Sequence, residues 1–288
     1  MRHFLISIIL LFASIAFGQT ASEFQGHVEA LAKFNGRQAG TEECNKAAAY
    51  LKTKLEEFSL PVEFQGYTYG NQKSKNIIAW IGEGPEVIVV GAHYDGQGPN
   101  NPSADDNASG CAITLELAHQ FKKTPPWQSM VFIFFSGEEQ GLVGSKFYVE
   151  HPMFPRKSPD IKKHVFIVNL DMVGHLKKSQ QFIEAPLNLP ELLEPLYLKY
   201  PFAKSITLRG KNDDSDNTSF RLKGVPFVFI HTGMHNRYHK STDTPDSLNY
   251  DGMVEVSKYV EELIRVISVV HIPDYRLTEH LETLEYKP

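Results

Sequence analysis

Cysteine is scarce in this 288-residue chain: Cys44 and Cys111 are the whole supply, enough for one bridge and too few for a disulfide framework. The core must therefore hold itself together by burial, and spacing alone does not decide whether the two thiols pair. Basic excess is missing as well. With 29 Lys and Arg against 34 Asp and Glu, the formal net charge is −5, and no Lys/Arg stripe is available to meet phosphates, which argues against a nucleic-acid partner. Internal repeats, low-complexity tracts and Gly/Ser linkers are also absent, so residues 19–288 read as one domain. The apolar run from Phe4 to Phe17 is too short to cross a bilayer comfortably. Arg2 and His3 precede it, and Ala16 and Gly18 supply the small residues of a cleavage site, so residues 1–18 read as a secretory signal peptide cut after Gly18. The alternative is an uncleaved anchor; no cysteine follows the run, which excludes lipid attachment there. The expectation is a secreted or periplasmic protein with no stable membrane insertion once the signal is removed.

What is present is an alternation of helical and strand patterns. The stretch from Glu42 to Phe58 is rich in strong helix formers at helical spacing, with Pro61 as a stop. After it come "NIIAWI", "EVIVV", the helix "ASGCAITLELAHQF", "MVFIFF", a helix through "GLVGSKFYVEH", "HVFIVNL", a helix near "PELLEPLYLKY", "PFVFI", and a last helix from about Tyr250 to Val270. The tail after His271 reads as an extra helix or a loose end. Strands that are apolar throughout, separated by helices, predict an α/β fold: a largely parallel, mixed sheet with helices on both faces.

Four of these strands run straight into ionisable residues. One reaches His93 and Asp95, a second Glu138 and Glu139, a third Asp171, and the fourth His231, His235 and His239. Ligands bind outside the carboxyl ends of strands in such sheets, so these side chains should converge, together with the Asp105–Asp106 pair that opens the helix after the first of them. Singly, each has a bland explanation: a hydrogen-bonded His–Asp pair, two solvated glutamates, a helix cap. Their convergence is harder to explain without a cation, because clustered carboxylates and histidines need neutralising charge. Histidine with carboxylates and no thiolate points to zinc or a near relative, and the number of donors suggests two ions sharing one carboxylate. His231, His235 and His239 are spaced by four, as on one helical face, but Gly233 and the polar residues around them argue for a loop in which His239 alone binds metal.

The motifs "NGRQAGT", "GAHYDG", "ADDNASG", "FSGEEQGLVGS", "NLDMVG", "SDNTSFRLKGVP" and "RYHKSTDTPDSLNY" together resemble the secreted and vacuolar di-zinc aminopeptidases, a metallopeptidase family that includes glutaminyl cyclases. The resemblance implies a zinc-exopeptidase-like fold acting on peptide or protein N-termini. It implies that His93 and Asp171 hold one zinc, that Glu139 and His239 hold the other, and that Asp105 bridges both. It makes Asp95 the carboxylate that orients the His93 imidazole and Glu138 the general base that takes the proton of a metal-held water and hands it to the departing amine. It makes Asp106 a non-ligand, joined to Asp105 by a cis peptide. Asn217 departs from the family pattern after "SD", which leaves side-chain preference open. The acidic "NDDSDN" lacks EF-hand spacing and reads as a solvated loop. Three alternatives stand beside this reading. They are a mono-zinc glutaminyl-peptide cyclotransferase, a non-catalytic binding protein on the same fold, and a carboxypeptidase, although no basic cluster near the motifs would hold a substrate carboxylate.

Overall fold

The computed structural model describes residues 19–176 and 215–269, with 182–184, 196, 198–204 and 206–207 between them. Residues 1–18, where a signal peptide is expected, most of the helix expected near "PELLEPLYLKY" and the tail after His271 lie outside the described residues.

Among the described residues eight strands form one sheet: β1 (Val62–Tyr69), β2 (Gln72–Ile81), β3 (Val87–His93), β4 (Ser129–Phe135), β5 (His164–Leu170), β6 (Phe182–Glu184), β7 (Ile206–Thr207) and β8 (Phe227–His231). Their spatial order is β1-β2-β4-β3-β5-β8-β6-β7. The middle four, β4-β3-β5-β8, run parallel; β2 joins β4 antiparallel on one side and β6 joins β8 antiparallel on the other. The sheet is thus mixed around a parallel centre, as the apolar runs predict.

The helices among the described residues are α1 (Ala21–Ala32), α2 (Glu42–Glu57), α3 (Gly110–Lys123), α4 (Val143–Glu150), α5 (Asn217–Arg221) and α6 (Tyr250–Val269). Burial follows the period of two that a sheet imposes. Ile88, Val90, Phe132 and Phe134 join one apolar cluster with residues of α1, α2, α3 and α6. Their neighbours Val87, Val89, Val131, Ile133 and Phe135 join another with Tyr148 of α4 and Phe220 of α5. Both faces of the sheet are therefore covered by helices, which is why the central strands carry no polar alternation. Cys44 and Cys111 are both buried and free. No helix among the described residues is long and apolar enough to cross a membrane.

Because β3, β4, β5 and β8 are parallel neighbours, their carboxyl ends open at one edge of the sheet. The chain leaves β3 at His93, β4 just before Glu138 and Glu139, β5 just before Asp171, and β8 at His231. A short π-helix, Ala104–Ser109, enters the same edge and leads into α3.

Candidate metal centre

At that edge two groups of three side chains present metal-ligating atoms: His93, Asp106 and Asp171 in one, Asp106, Glu139 and His239 in the other. In the first, His93 Nε2 lies 3.3 Å from Asp106 Oδ1 and 3.3 Å from Asp171 Oδ1. In the second, His239 Nε2 lies 3.1 Å from Asp106 Oδ2 and 3.3 Å from Glu139 Oε2. Donors held about 2.0–2.1 Å from a tetrahedral zinc sit about 3.3 Å from one another, so both groups have the spacing and the nitrogen/oxygen chemistry of a zinc site. Glu139 Oε1 is buried and accepts no hydrogen bond, an orphan that a cation would satisfy.

The shared carboxylate is that of Asp106. This corrects the expectation that Asp105 occupies the bridging position. The two carboxylates are one residue apart, and the backbone path decides which faces the groups. The π-helix is interrupted at Asp106 (φ −108°, ψ 82°) and Asn107 (φ −138°, ψ 49°), and the cis peptide follows Asp106 rather than preceding it. Asp105 points elsewhere: its Oδ1 accepts the Gly174 N–H at 2.7 Å, and its Oδ2 lies 3.0 Å from His235 Nε2 and 4.0 Å from His175 Nε2. His175 and His235 pack with ring centroids 4.2 Å apart. His231, the third member of the spaced series, is in neither group. All three histidines lie outside helical structure, as Gly233 suggested, and His239 takes a left-handed φ of 57°.

Asp95 lies beneath the site with a different division of labour from the one expected. The His93 Nδ1 proton is within reach of the Asp95 backbone carbonyl at 3.2 Å, while the nearer carboxylate oxygen is 3.6 Å away, beyond hydrogen-bonding distance. The carboxylate instead accepts from the backbone N–H groups of Glu138 (3.3 Å) and Glu139 (3.4 Å), fixing the turn that presents both glutamates. Gln97 Nε2 donates to Glu139 Oε2 at 2.7 Å, and the Tyr238 ring stacks on His239 at 3.6 Å. Glu138 belongs to neither group, and its charge interacts with His93 and Asp171 of the first.

The electrostatics fit a site that needs positive charge. Burial, with the nearby carboxylates of Asp171, Asp216 and Asp95, pushes Glu138 up to about 10 despite His93. Burial and Asp106 push Glu139 to about 8, and burial raises Asp171 and takes Asp216 to about 7. Burial opposes protonation of His93, yet Asp171 and Glu138 hold it well above its ordinary value. Asp106 alone goes the other way: burial would raise it, but hydrogen bonds from His239 and His93 hold it below the usual carboxylate range.

Several supporting residues lie within the motifs quoted above, where residue type alone assigns them no role. Asp243 accepts the N–H groups of both Asp105 and Asp106. Arg37, fully buried, donates to the carbonyl oxygens of Leu31, Tyr94, Pro102 and Ser103. Asn107 Oδ1 accepts from Gly110 and Met172 while its Nδ2 donates to Leu170 O, tying the π-helix to the end of β5. A carboxylate four residues past a candidate ligand, as Asp243 is past His239, was the available signal for the first.

Comparison with known proteins agrees with this architecture. Residues 76–264 match the model of peptidase family M28. The chain is 28% identical over 217 residues to the probable leucine aminopeptidase 1 of Trichophyton verrucosum, an alignment covering 66% of this chain and 57% of that protein's length. Its fold is similar to that of the LapA aminopeptidase of Legionella pneumophila, with a TM-score of 0.76, 22% identity, and 94% and 75% of the two chains covered. It is also similar to the glutaminyl cyclase of Porphyromonas gingivalis, with a TM-score of 0.74, 20% identity, and 88% and 99% covered. The family match spans the parallel strands and all five residues of the two groups, from His93 to His239, and the chain belongs to peptidase family M28.

Proposed function

We propose that this chain is a secreted aminopeptidase that uses two zinc ions to hydrolyse the N-terminal peptide bond of peptides or proteins. The observation that carries the reading is the pair of complete donor groups joined through Asp106. His93, Asp106 and Asp171 would hold one ion, and Asp106, Glu139 and His239 the other. When bound, such ions polarise a carbonyl and lower the pKa of water toward neutrality. Glu138 takes a proton from the attacking water on its carboxylate and returns it to the departing amine. Its buried position, which pushes it to about 10 among its neighbouring carboxylates, requires compensating positive charge before it can titrate where a general base works. Asp95 keeps Glu138 and Glu139 in place through their backbone N–H groups. Secretion rests on the signal-like residues 1–18 and is checked by the N-terminal residue of the exported protein.

A glutaminyl-peptide cyclotransferase is the second reading, favoured by the likeness to a glutaminyl cyclase. The test is hydrolysis of aminoacyl chromogenic amides, with and without a chelator, beside Glu138→Gln and an assay for cyclisation of N-terminal glutamine. Chelator-sensitive release that falls about 10²–10⁴-fold in Glu138→Gln, at unchanged zinc content, supports the peptidase. Cyclisation without hydrolysis replaces it with the cyclase; neither activity, with no zinc bound, leaves a binding protein.

A further inference from the structure

Resting on the reading of the two donor groups as metal sites, we propose that Asp243 and His235 are positioning residues. Together they clasp the loop carrying His239 to the segment carrying Asp106, and so set the second ion's site. Three consecutive backbone N–H groups end on Asp243. Ala104 donates to its carbonyl at 3.2 Å, Asp105 to its carboxylate at 2.9 and 3.1 Å, and Asp106 to the same carboxylate at 3.1 Å. A contact runs back from the other end of the loop, where His235 Nε2 meets Asp105 Oδ2 at 3.0 Å. His239 lies midway, four residues from each anchor. The loop between them is wound into turns by Lys240 N to Arg237 O, Asp243 N to Lys240 O, and the Arg237 guanidinium to Thr242 O. Four residues of extended chain reach about 13 Å. Without both anchors, His239 would hang on a leash of that length, and its imidazole would have to be ordered by the ion itself.

The group Asp105, His175 and His235 has the residue types of a third cation site, with ligating atoms within 4.8 Å of one another. The hydrogen bonds assign it a different role. His235 Nδ1 accepts the Arg237 N–H at 3.2 Å, so the proton of the neutral ring is on Nε2, where it donates to Asp105. Binding an ion through Nε2 would move that proton to Nδ1 and set it against the Arg237 N–H. Asp105 Oδ1 is already engaged by Gly174 N, so this carboxylate pins three loops together: its own, the one after β5 and the one after β8.

The experiment is zinc stoichiometry and chelator-competition affinity for the full chain and for His235→Ala, His235→Gln and Asp243→Asn, with circular dichroism to confirm folding. The parent is expected to bind two ions. His235→Ala and Asp243→Asn are expected to weaken one of them about 10–100-fold, with the other within a few-fold of the parent. His235→Gln, whose amide can donate to Asp105, should recover most of the loss. Should Asp243→Asn not fold, the two His235 variants decide. Affinities unchanged in folded variants, or both ions weakened equally with no recovery by glutamine, overturn the proposal. So do three ions in the parent falling to two in His235→Ala, which would make the cluster a cation site. A parent that binds two ions and cleaves no peptide sinks the proposed function and leaves the clasp standing; one that binds fewer than two removes both.

Discussion

Asp105 and Asp106 are adjacent, chemically identical and both buried, yet the structure gives them unequal work, and the paired variants Asp105→Asn and Asp106→Asn measure the difference. Asparagine preserves shape and removes one charge. At position 106 the lost charge is the one that faces His93 on one oxygen and His239 on the other. Two unit charges 4 Å apart at an effective dielectric of about 20 interact by about 4 kcal/mol, and a ligating oxygen lies nearer than that to a doubly charged ion. About 4 kcal/mol is therefore a floor, and Asp106→Asn should bind zinc at least about 10³-fold more weakly. At position 105 the change acts only through the hydrogen bonds from Gly174 and His235, the kind of outer support whose loss costs about 10–100-fold. The assay is titration of metal-stripped protein with zinc against a chromophoric chelator, with total metal counted by mass spectrometry. Reversal of the order, with Asp105→Asn losing zinc while Asp106→Asn retains it, would refute the assignment of the shared carboxylate and restore the sequence expectation.

The pKa shifts also fix the sign of a pH dependence. Glu138, Glu139, Asp216 and Asp243, at about 10, 8, 7 and 6, all hold protons more tightly folded than unfolded. Their stabilisation is complete below their unfolded values of 3.8 to 4.5 and drains away as pH rises through the folded ones, while the depressed Asp106 acts oppositely and only below about 4. Metal-stripped protein should therefore lose melting temperature between pH 5 and pH 9, and the gain on adding zinc should grow over that range because the ligands bind deprotonated; a metal-free melting temperature that is flat or rising there contradicts this. Gly110→Ala puts a Cβ 2.4 Å from Asn107 Oδ1 and 2.6 Å from the Leu170 carbonyl, and should cost about 1–3 kcal/mol in urea unfolding; a variant as stable as the parent would mean the junction of π-helix and α3 is looser than it stands.

The centre of the sheet was legible because being buried on both faces leaves the sequence one option, an uninterrupted apolar run, and β3, β4, β5 and β8 all have it. The edges offered less. In β1, "VEFQGYTY" is mostly exposed or half-exposed, so its residues answer to no single environment, and β6 and β7 are only three and two residues long. Helix α1 does carry a sequence signal: Thr20 and Glu23 form a capping box, and Phe24, Val28 and Leu31 recur at helical spacing on the buried side. At the site, the residues after strand ends could be read because topology alone brings them together. The choice between Asp105 and Asp106 could not, since it turns on the backbone dihedrals of a six-residue π-helix, which residue type does not encode. The Asp95 carboxylate serves backbone N–H groups, contacts that leave no mark on a sequence.

The contacts of Arg37 bear on where the working unit of this chain begins. The family match starts at residue 76, yet the guanidinium that satisfies the carbonyls of Tyr94, Pro102 and Ser103 comes from upstream of it. Those carbonyls flank His93 on one side and the Asp105–Asp106 pair on the other, so a segment outside the family match acts as a keystone between the two ligand-bearing loops. A fragment cut to the boundaries of the family would leave buried acceptors with no donor and bare the faces of the sheet and of α3 that α1 and α2 cover. The family match and mechanical completeness begin at different residues here, and only the longer piece can be expected to stand.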